Sequence, residues 1–334
     1  MSSATPGFAH LIRLSDDTGL FEHARHAVVR REHGYCTDDV ARGLVVVCRE
    51  PRPSHRLTRL AESYLGFLTH AQGPSGAFRN RLTFDRRWRD EPGAGDWWGR
   101  ALWGLGTAAG RHSAPWIRDE ALTAFTLGAE QRSPHRRAMA FAGLGAAEVL
   151  RASPDSGVAA TLLTDAVAAI GALPEDPSWP WPEPYLSYAN AALAEVLISA
   201  GDLSDDRQVL NTGLQMLTWL CDIQTKNGRL SVVPATGWRP GEPRAQFDQQ
   251  PIEVAALADA CAVASLVTGD PSWQQGVRRA VSWFQGANDA SALMWDPATG
   301  GGFDGLTEQG PNLNQGAEST LALISTMQHA RELS

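Results

Sequence analysis

Carboxylate side chains recur near the start of several Ala- and Gly-rich segments of the chain. Two carboxyl groups that flank a glycosidic bond can hydrolyse it, because one protonates the leaving oxygen while the other activates water or attacks as a nucleophile. Glu253 and Glu318 lie in segments with little other charge, where burial would raise their pKa values and suit them to donate a proton. The candidate catalytic residues are Asp39, Asp96, Glu253 and Glu318.

Some of these acidic residues also have a structural explanation. Asp38 follows Thr37 at a predicted helix start and is as well explained by a cap as by catalysis. Asp96 and Arg100 have the i, i+4 spacing of a helical salt bridge. Asp39 lies one residue further into its helix and is less easily explained as a cap, which favours contact with substrate.

Six apolar segments rich in Ala, Gly and Leu at helical spacing follow polar clusters along the chain. They begin at Asp38, Asp96, His135, Leu186, Gln249 and Asn314. Amphipathic segments with charged outer faces alternate with them, at 54–72, 114–131, 156–173, 205–225 and 271–285, with 6–14 as a sixth. Small residues allow inner helices to approach closely while outer helices face water. The sequence therefore predicts an all-α (α/α)6 toroid that forms one domain over 1–334, with short hairpins at 78–84 and 229–233.

The predicted loops are longer at one end of this toroid than at the other. Connections from inner to outer helices are short, whereas those leading back are mostly long, as at 73–95, 174–185, 226–248 and 286–313. The long loops precede the N-terminal ends of the inner helices, where backbone N–H groups point outward. We therefore expect the functional site at that end.

Amide, acidic, arginine and aromatic side chains gather at the same end of the predicted toroid. This mixture suits carbohydrate recognition, because amides and carboxylates bind hydroxyls and aromatic faces cover the C–H face of a sugar ring. The candidate substrate-binding residues are Tyr35, Asp38, Arg42, Trp88, Arg100, His135, Trp181, Tyr185, Tyr188, Asn190, Gln249, Gln250 and Asn314.

Composition excludes several classes of protein. Lys+Arg 29 against Asp+Glu 37 gives a net charge of −8, which argues against nucleic acid as a partner. The longest aliphatic run, 44–48, is far shorter than the roughly 20 residues that cross a bilayer. We see no secretory signal at 1–10 and expect a cytoplasmic protein without a membrane partner. Lys226 is the only lysine and no phosphate-binding glycine loop is present, so no cofactor is predicted.

The cysteines and histidines give weak signals. Cys36, Cys48, Cys221 and Cys261 are scattered and are predicted to be reduced thiols. The spacing of His23, His26, His33 and Cys36 could ligate zinc, but no other feature supports it and no metal site is predicted.

Four segments of the chain resemble those of bacterial proteins in the six-hairpin glycosidase-like superfamily, which occur near glycosyltransferases and mannoside phosphorylases. They are 34–42 (GYCTDDVAR), 96–103 (DWWGRALW), 249–253 (QQPIE) and 312–320 (NLNQGAEST). The resemblance spans nearly the whole chain and implies the (α/α)6 fold and a role in handling sugars. It assigns no catalytic residues.

The resulting hypothesis is a glycoside hydrolase, inverting as toroids of this kind commonly are, acting on a small carbohydrate. Three alternatives stay open. A sugar phosphorylase would need a phosphate site, for which His135, Arg136 and Arg137 are the candidates. A sugar epimerase would need histidines as acid and base, and a glycan-binding module would need no catalysis.

Overall fold

The computed structural model describes residues 7–332, which fold into two concentric rings of helices. The inner ring is formed by α2 (Thr37–Cys48), α4 (Asp96–Arg111), α6 (Arg136–Ala152), α8 (Ala191–Leu203), α10 (Pro251–Thr268) and α12 (Ala317–Glu332). Each inner helix packs against the next, and α12 packs against α2. The predicted (α/α)6 toroid is therefore confirmed.

The outer ring consists of α1 (Ala9–Leu14), α3 (His55–Ala71), α5 (Pro115–Gly128), α7 (Gly157–Ile170), α9 (Arg207–Ile223) and α11 (Trp273–Phe284). Polar caps begin several of these helices. Ser54 accepts a hydrogen bond from Leu57 N, and Asp206 accepts from Gln208 N and Val209 N. The segment at 6–14, predicted as the sixth outer helix, supplies α1, which packs against α12.

Glycine allows the inner helices α4 and α6 to approach closely. A Cβ at Gly99 would overlap the backbone of Ala138, and one at Gly106 would overlap the backbone of Gly145. Any side chain at either position would therefore force the two helices apart.

Short antiparallel hairpins lie in the loops. β1 (Ala24–Arg25) pairs with β2 (Val28–Val29), and β3 (Tyr35–Cys36) pairs with β4 (Arg81–Leu82), with Tyr35 opposite Leu82. β5 (Thr225–Lys226) pairs with β6 (Arg229–Leu230), and β7 (Gly305–Thr307) pairs with β8 (Gly310–Asn312). The β3–β4 pair joins the start of α2 to the loop that precedes α4.

The N-terminal segment closes the ring against the start of α12. Ala317 N donates to Glu22 O at 3.0 Å, and Gln315 N donates to His26 O at 3.0 Å. The His10 ring is hydrogen-bonded to Gln315 O at 2.9 Å. These contacts bring the residues before α2 to the same end of the toroid as the first turn of α12.

Helix α10 alone among the described helices is long and apolar enough to cross a membrane, and 67% of it is buried inside the fold. Its position in the inner ring accounts for this composition. The buried face also carries Asp259, whose Oδ1 accepts hydrogen bonds from Arg49 at 2.9 Å and Ser325 at 2.9 Å and lies 2.5 Å from His329 Nε2. Burial of this charge is thus offset by cationic and polar partners.

All four cysteines are free, as predicted. The sulfur atoms of Cys221 on α9 and Cys261 on α10 lie 3.8 Å apart.

Candidate active site

A cavity of about 450 Å³ opens at the N-terminal ends of α2, α4 and α12. We call it the first cavity. Its lining consists of Glu22, His23, Cys36, Asp38, Asp39, Arg42, Asn80, Arg81, Asp96, Arg100, Tyr188, Asp304, Gly316, Glu318 and Ser319. The site expected at this end of the toroid therefore has room for a ligand.

A second cavity of about 480 Å³ lies beside the first, at the start of α6. Its lining consists of Asp96, Pro134, His135, Arg136, Arg137, Ala169, Glu183, Tyr185, Ser187 and Tyr188. Asp96 and Tyr188 line both cavities. These two side chains therefore mark the junction of a cleft with two lobes.

One guanidinium group organises the acidic residues of the first cavity. Arg42 Nη2 lies 2.8 Å from Asp38 Oδ1 and 2.5 Å from Asp39 Oδ1. Arg42 Nη1 donates to Glu318 Oε2 at 3.1 Å. Arg100 Nε lies 3.0 Å from Asp38 Oδ2, so Asp38 is bound by two arginines. Asp38 is thus fixed as part of an ion-pair network rather than left free to react.

Asp39 and Glu318 differ in their access to the cavity. Asp39 is 3% exposed, and burial raises its pKa to about 8 although Arg42 opposes the shift. The side chain of Glu318 is 41% exposed. Burial therefore disfavours the charged form of Asp39, whereas Glu318 is accessible to water and substrate.

The junction residues are directly bonded to each other. The Tyr188 hydroxyl donates to Asp96 Oδ2, and burial together with the charge of Asp96 raises the pKa of Tyr188. The Arg137 guanidinium lies 5.0 Å from the centre of the Tyr188 ring. This stacking holds the phenol in place, and the phenol orients Asp96.

The floor of the first cavity is formed by Arg42 and Arg100, which also line a small axial cavity of about 40 Å³. The axial cavity lies between the inner helices and has Asp259 and Glu195 among its lining residues. Burial and the neighbouring Asp259 raise the pKa of Glu195 to about 8. A second group of buried charges thus lies beneath the floor.

Glu253, a predicted catalytic residue, lines neither cavity of the cleft. It is 2% exposed and accepts hydrogen bonds from Asn190 N at 3.0 Å, Asn190 Nδ2 at 2.9 Å and Gln224 Nε2 at 3.1 Å. Its carboxylate instead anchors the start of α8, because three donors converge on it.

Three predicted substrate-binding residues are buried in polar networks away from the cleft. Tyr35 donates from its hydroxyl to Asp16 Oδ2 at 2.7 Å. Gln249 accepts from Trp283 Nε1 at 2.9 Å and donates to Asp289 Oδ2 at 2.7 Å. Each of these side chains, like Asn190, uses its polar atoms to join loops to helices.

Four further predicted substrate-binding residues, all in or next to loops, lie outside the two cavities. Trp181 is fully buried and stacks on Trp219 of α9, so it belongs to the outer core rather than to a sugar platform. Trp88 packs against Phe67 and His70. Gln250 and Asn314 line neither cavity: Gln250 is the residue before α10, and Asn314 Oδ1 accepts from His26 N at 3.0 Å.

The structure brings together all of the other predicted residues. Asp38, Asp39, Arg42, Arg100 and Glu318 line the first cavity, His135 and Tyr185 line the second, and Asp96 and Tyr188 line both.

Several lining residues were missing from the candidate set because they lie outside the first turns of inner helices. Glu22 and His23 come from the segment before β1, and Asn80 and Arg81 from the β4 region. Asp304 accepts from Gly316 N at 2.7 Å and Ser319 Oγ at 2.6 Å, and burial raises its pKa. Arg136 and Arg137, named only as candidates for a phosphate site, lie at the start of α6 and line the second cavity. Asp304 and Glu183 lie in the long loops where the site was expected.

The histidine spacing considered for zinc does not form a metal site among the described residues. His23 and His33 instead pack edge to face with ring centres 4.7 Å apart. Ligand atoms of Glu22, Cys36 and Asp39 do lie within 4.8 Å of one another. Glu22 is paired with Arg81 and Asp39 with Arg42, so cations already neutralise this cluster.

No family model and no curated protein matches the chain. Solved structures do match. A sugar epimerase from a ruminal bacterium has a TM-score of 0.75 at 11% identity, covering 97% of this chain and 95% of that chain. The cellobiose 2-epimerase from Spirochaeta thermophila has a TM-score of 0.73 at 12% identity, with 97% and 94% covered. A GH76 α-mannanase from Bacteroides thetaiotaomicron has a TM-score of 0.65 at 11% identity, with 97% and 94% covered.

Proposed function

We propose that this protein, which has the (α/α)6 fold of the six-hairpin glycosidase-like superfamily, is a carbohydrate-active enzyme that hydrolyses glycosidic bonds. The proposal rests on one observation: Asp96 and Tyr188 line both cavities. A glycosidic bond that joins a sugar in the first cavity to a leaving group in the second would pass beside the Asp96 carboxyl. The sugar-active structural neighbours support a carbohydrate substrate.

The excess of acidic over basic side chains in the first cavity supports hydrolysis. Carboxyl groups from six residues line it, against the guanidinium groups of three arginines. Even with Asp39 protonated, negative charge is in excess. Glycosidic cleavage passes through a transition state in which positive charge develops on the sugar ring, so this excess stabilises the transition state more than the neutral substrate.

The positions of Asp96 and Glu318 support their two proposed catalytic roles. Asp96 lies at the junction and is the general acid, because the leaving oxygen must point toward the second cavity. Glu318 lines the first cavity only and is the general base, which removes a proton from the attacking water. The water oxygen bonds to the anomeric carbon as the bond to the leaving oxygen breaks, and Asp96, which carries a proton when substrate is bound, transfers that proton to the leaving oxygen. The product has inverted configuration at the anomeric carbon.

The other groups of the first cavity bind and orient the sugar. Asp39 in its protonated form can donate a hydrogen bond to a hydroxyl oxygen, and Asp38 can accept one. Arg42 holds both aspartates and Glu318, so the sugar is bound against side chains that are already fixed.

Hydrolysis is tested with a panel of gluco-, manno- and arabino-configured disaccharides of both anomers, with products followed by NMR. We expect release of a sugar with inverted configuration. Asp96→Asn and Glu318→Gln should each lower kcat by about 10²- to 10⁴-fold. Glu308→Gln is the matched control, because Glu308 is exposed and lines neither cavity. Binding without turnover by the wild-type protein would instead favour a glycan-binding module.

Epimerisation is the second candidate, because the first cavity contains His23 beside Glu22, with His23 Nε2 3.7 Å from Glu22 Oε1. An epimerase removes and returns a proton at a carbon next to the sugar carbonyl, and histidine suits this exchange near neutral pH. Incubating the same disaccharides in D₂O separates the two reactions. Deuterium at that carbon of the intact disaccharide, lost in His23→Gln, would favour epimerisation, whereas cleavage retained in His23→Gln would favour hydrolysis.

A further inference from the structure

Two tyrosine rings are exposed at the second cavity. Tyr185 is 41% exposed and Tyr188 is 38% exposed, although aromatic side chains are usually well buried. The guanidinium carbon of Arg239 lies 5.3 Å from the centre of the Tyr185 ring. A cation on one face of a phenol ring fixes its orientation and leaves the other face available for stacking.

The cavity also contains an acceptor without a donor. Arg137 Nη1 donates to Glu183 Oε1 at 2.7 Å, whereas Glu183 Oε2 is buried and has no hydrogen-bond partner among the described residues. The side chain of Glu183 is 14% exposed and lines the second cavity. A buried carboxylate oxygen without a donor is costly, so a ligand that brings a hydroxyl hydrogen to it would be favoured.

Donors line the same cavity. Arg136 donates through Nε to Ala169 O at 3.2 Å, and its two terminal nitrogens have no partner among residues 7–332. His135 is exposed, and its ring has no hydrogen-bond partner among the described residues either. The second cavity thus combines a flat apolar face, an acceptor and several donors.

We infer that the second cavity is a subsite for a neutral sugar ring, which stacks on Tyr185, donates a hydroxyl hydrogen to Glu183 Oε2 and accepts hydrogen bonds from Arg136. The inference rests on the proposed function and deepens it. The substrate is a neutral disaccharide or longer oligosaccharide in which the leaving group is itself a sugar.

Arg136 and His135 could bind a phosphate ion, but the other groups of the second cavity suit phosphate less well than a sugar. Phosphate has no apolar face for Tyr185, and its negative charge would lie next to Glu183 and Asp96, which both line the cavity. A hydroxyl, in contrast, can donate to Glu183 Oε2 and accept from Arg136. The second cavity is therefore better suited to a neutral sugar than to phosphate.

Binding is measured by calorimetry in Glu318→Gln protein, which suppresses turnover, with the disaccharide panel, the corresponding monosaccharides and inorganic phosphate as probes. Adding Tyr185→Ala or Glu183→Gln should weaken binding of the best disaccharide about tenfold and leave monosaccharide binding unchanged. The matched control is Phe84→Ala, which removes an aromatic ring that is 50% exposed outside both cavities. Thermal unfolding of each variant verifies that it is folded.

The outcomes separate the inference from the proposed function. Equal loss of monosaccharide and disaccharide binding, or unchanged disaccharide binding in both variants, overturns the subsite even if the wild-type protein hydrolyses the panel. Phosphate binding at millimolar concentration that is lost in Arg136→Ala also overturns it and favours a phosphorylase. If no sugar binds and none is hydrolysed, both the subsite and the proposed function are wrong.

Discussion

Arg42 on α2 binds Glu318 on α12, with Nη1 3.1 Å from Oε2, across the contact between the two helices that closes the ring. The same guanidinium contacts Asp38 and Asp39 through Nη2. A residue that joins three carboxyl groups therefore contributes both to the stability of the ring and to the geometry of the first cavity.

Arg42→Met should lower the free energy of unfolding by about 1–3 kcal/mol, because it leaves the buried Asp39 carboxyl without its donor and removes the ion pair with Glu318. Chemical denaturation at neutral pH measures the change. The control is Arg86→Met, which removes an exposed ion pair with Asp17 and should have a much smaller effect on stability. Equal effects of the two substitutions would show that the Arg42 network does not stabilise the fold.

Tyr188→Phe tests whether the phenol positions Asp96. The variant keeps the ring over which Arg137 stacks and removes only the donor to Asp96. We expect kcat to fall about 10- to 100-fold with little change in KM, because a misplaced acid affects the transition state more than binding. Tyr64→Phe is the matched control: it removes a buried hydroxyl, 2.7 Å from Ser15 Oγ, far from the cleft. A Tyr188→Phe enzyme with wild-type kcat would contradict the positioning role.

Glu253 should matter for stability rather than for chemistry. Glu253→Ala leaves three buried donors from Asn190 and Gln224 unpaired and should cost about 2–4 kcal/mol of unfolding free energy. Glu253→Gln keeps an acceptor, so we expect it to fold and to retain turnover within a few-fold of wild type. Folded Glu253→Gln protein without activity would return Glu253 to the catalytic set.

The stability of the protein should depend on the protonation of Glu195. Its pKa of about 8 in the folded protein lies above the ordinary value of 4.5, so the folded state retains a proton that the unfolded chain releases between these pH values. This contribution is complete below about pH 4.5 and is lost as the pH rises to about 8. The wild-type protein should therefore lose stability relative to Glu195→Gln between pH 5 and 8, by at most about 1.4 kcal/mol per pH unit. Denaturation at several pH values measures the difference, and a constant difference would contradict the assignment.

The fold could be predicted because the spacing of apolar residues and the lengths of the loops between helices can be read from short stretches of the sequence. The Ala- and Gly-rich segments that begin near Asp38 and Asp96 became inner helices, and the long loops lie at the end where the cavities open. Asp38, Asp39 and Arg42 were identified because the first turn of an inner helix points toward the axis.

Burial within the long loops could not be predicted in the same way. Trp181, Gln249 and Asn190 have residue types that suit sugar binding, yet each is buried by contacts with residues far away in sequence. Glu22 and His23 were missed for the converse reason. They lie outside the segments in which apolar residues recur at helical spacing. They reach the first cavity because the N-terminal segment packs against α12.

The closure of the ring between α2 and α12 also determines which parts of the chain the first cavity requires. Glu318 and the residues that surround it in the first cavity, from Glu22 to Asp39, lie at opposite ends of the described chain. A chain without α12 would keep the other inner helices but not a complete first cavity, because Glu318 and Ser319 line that cavity and α12 is the helix that packs against α2. The first cavity therefore depends on a contact between segments 276 residues apart in sequence.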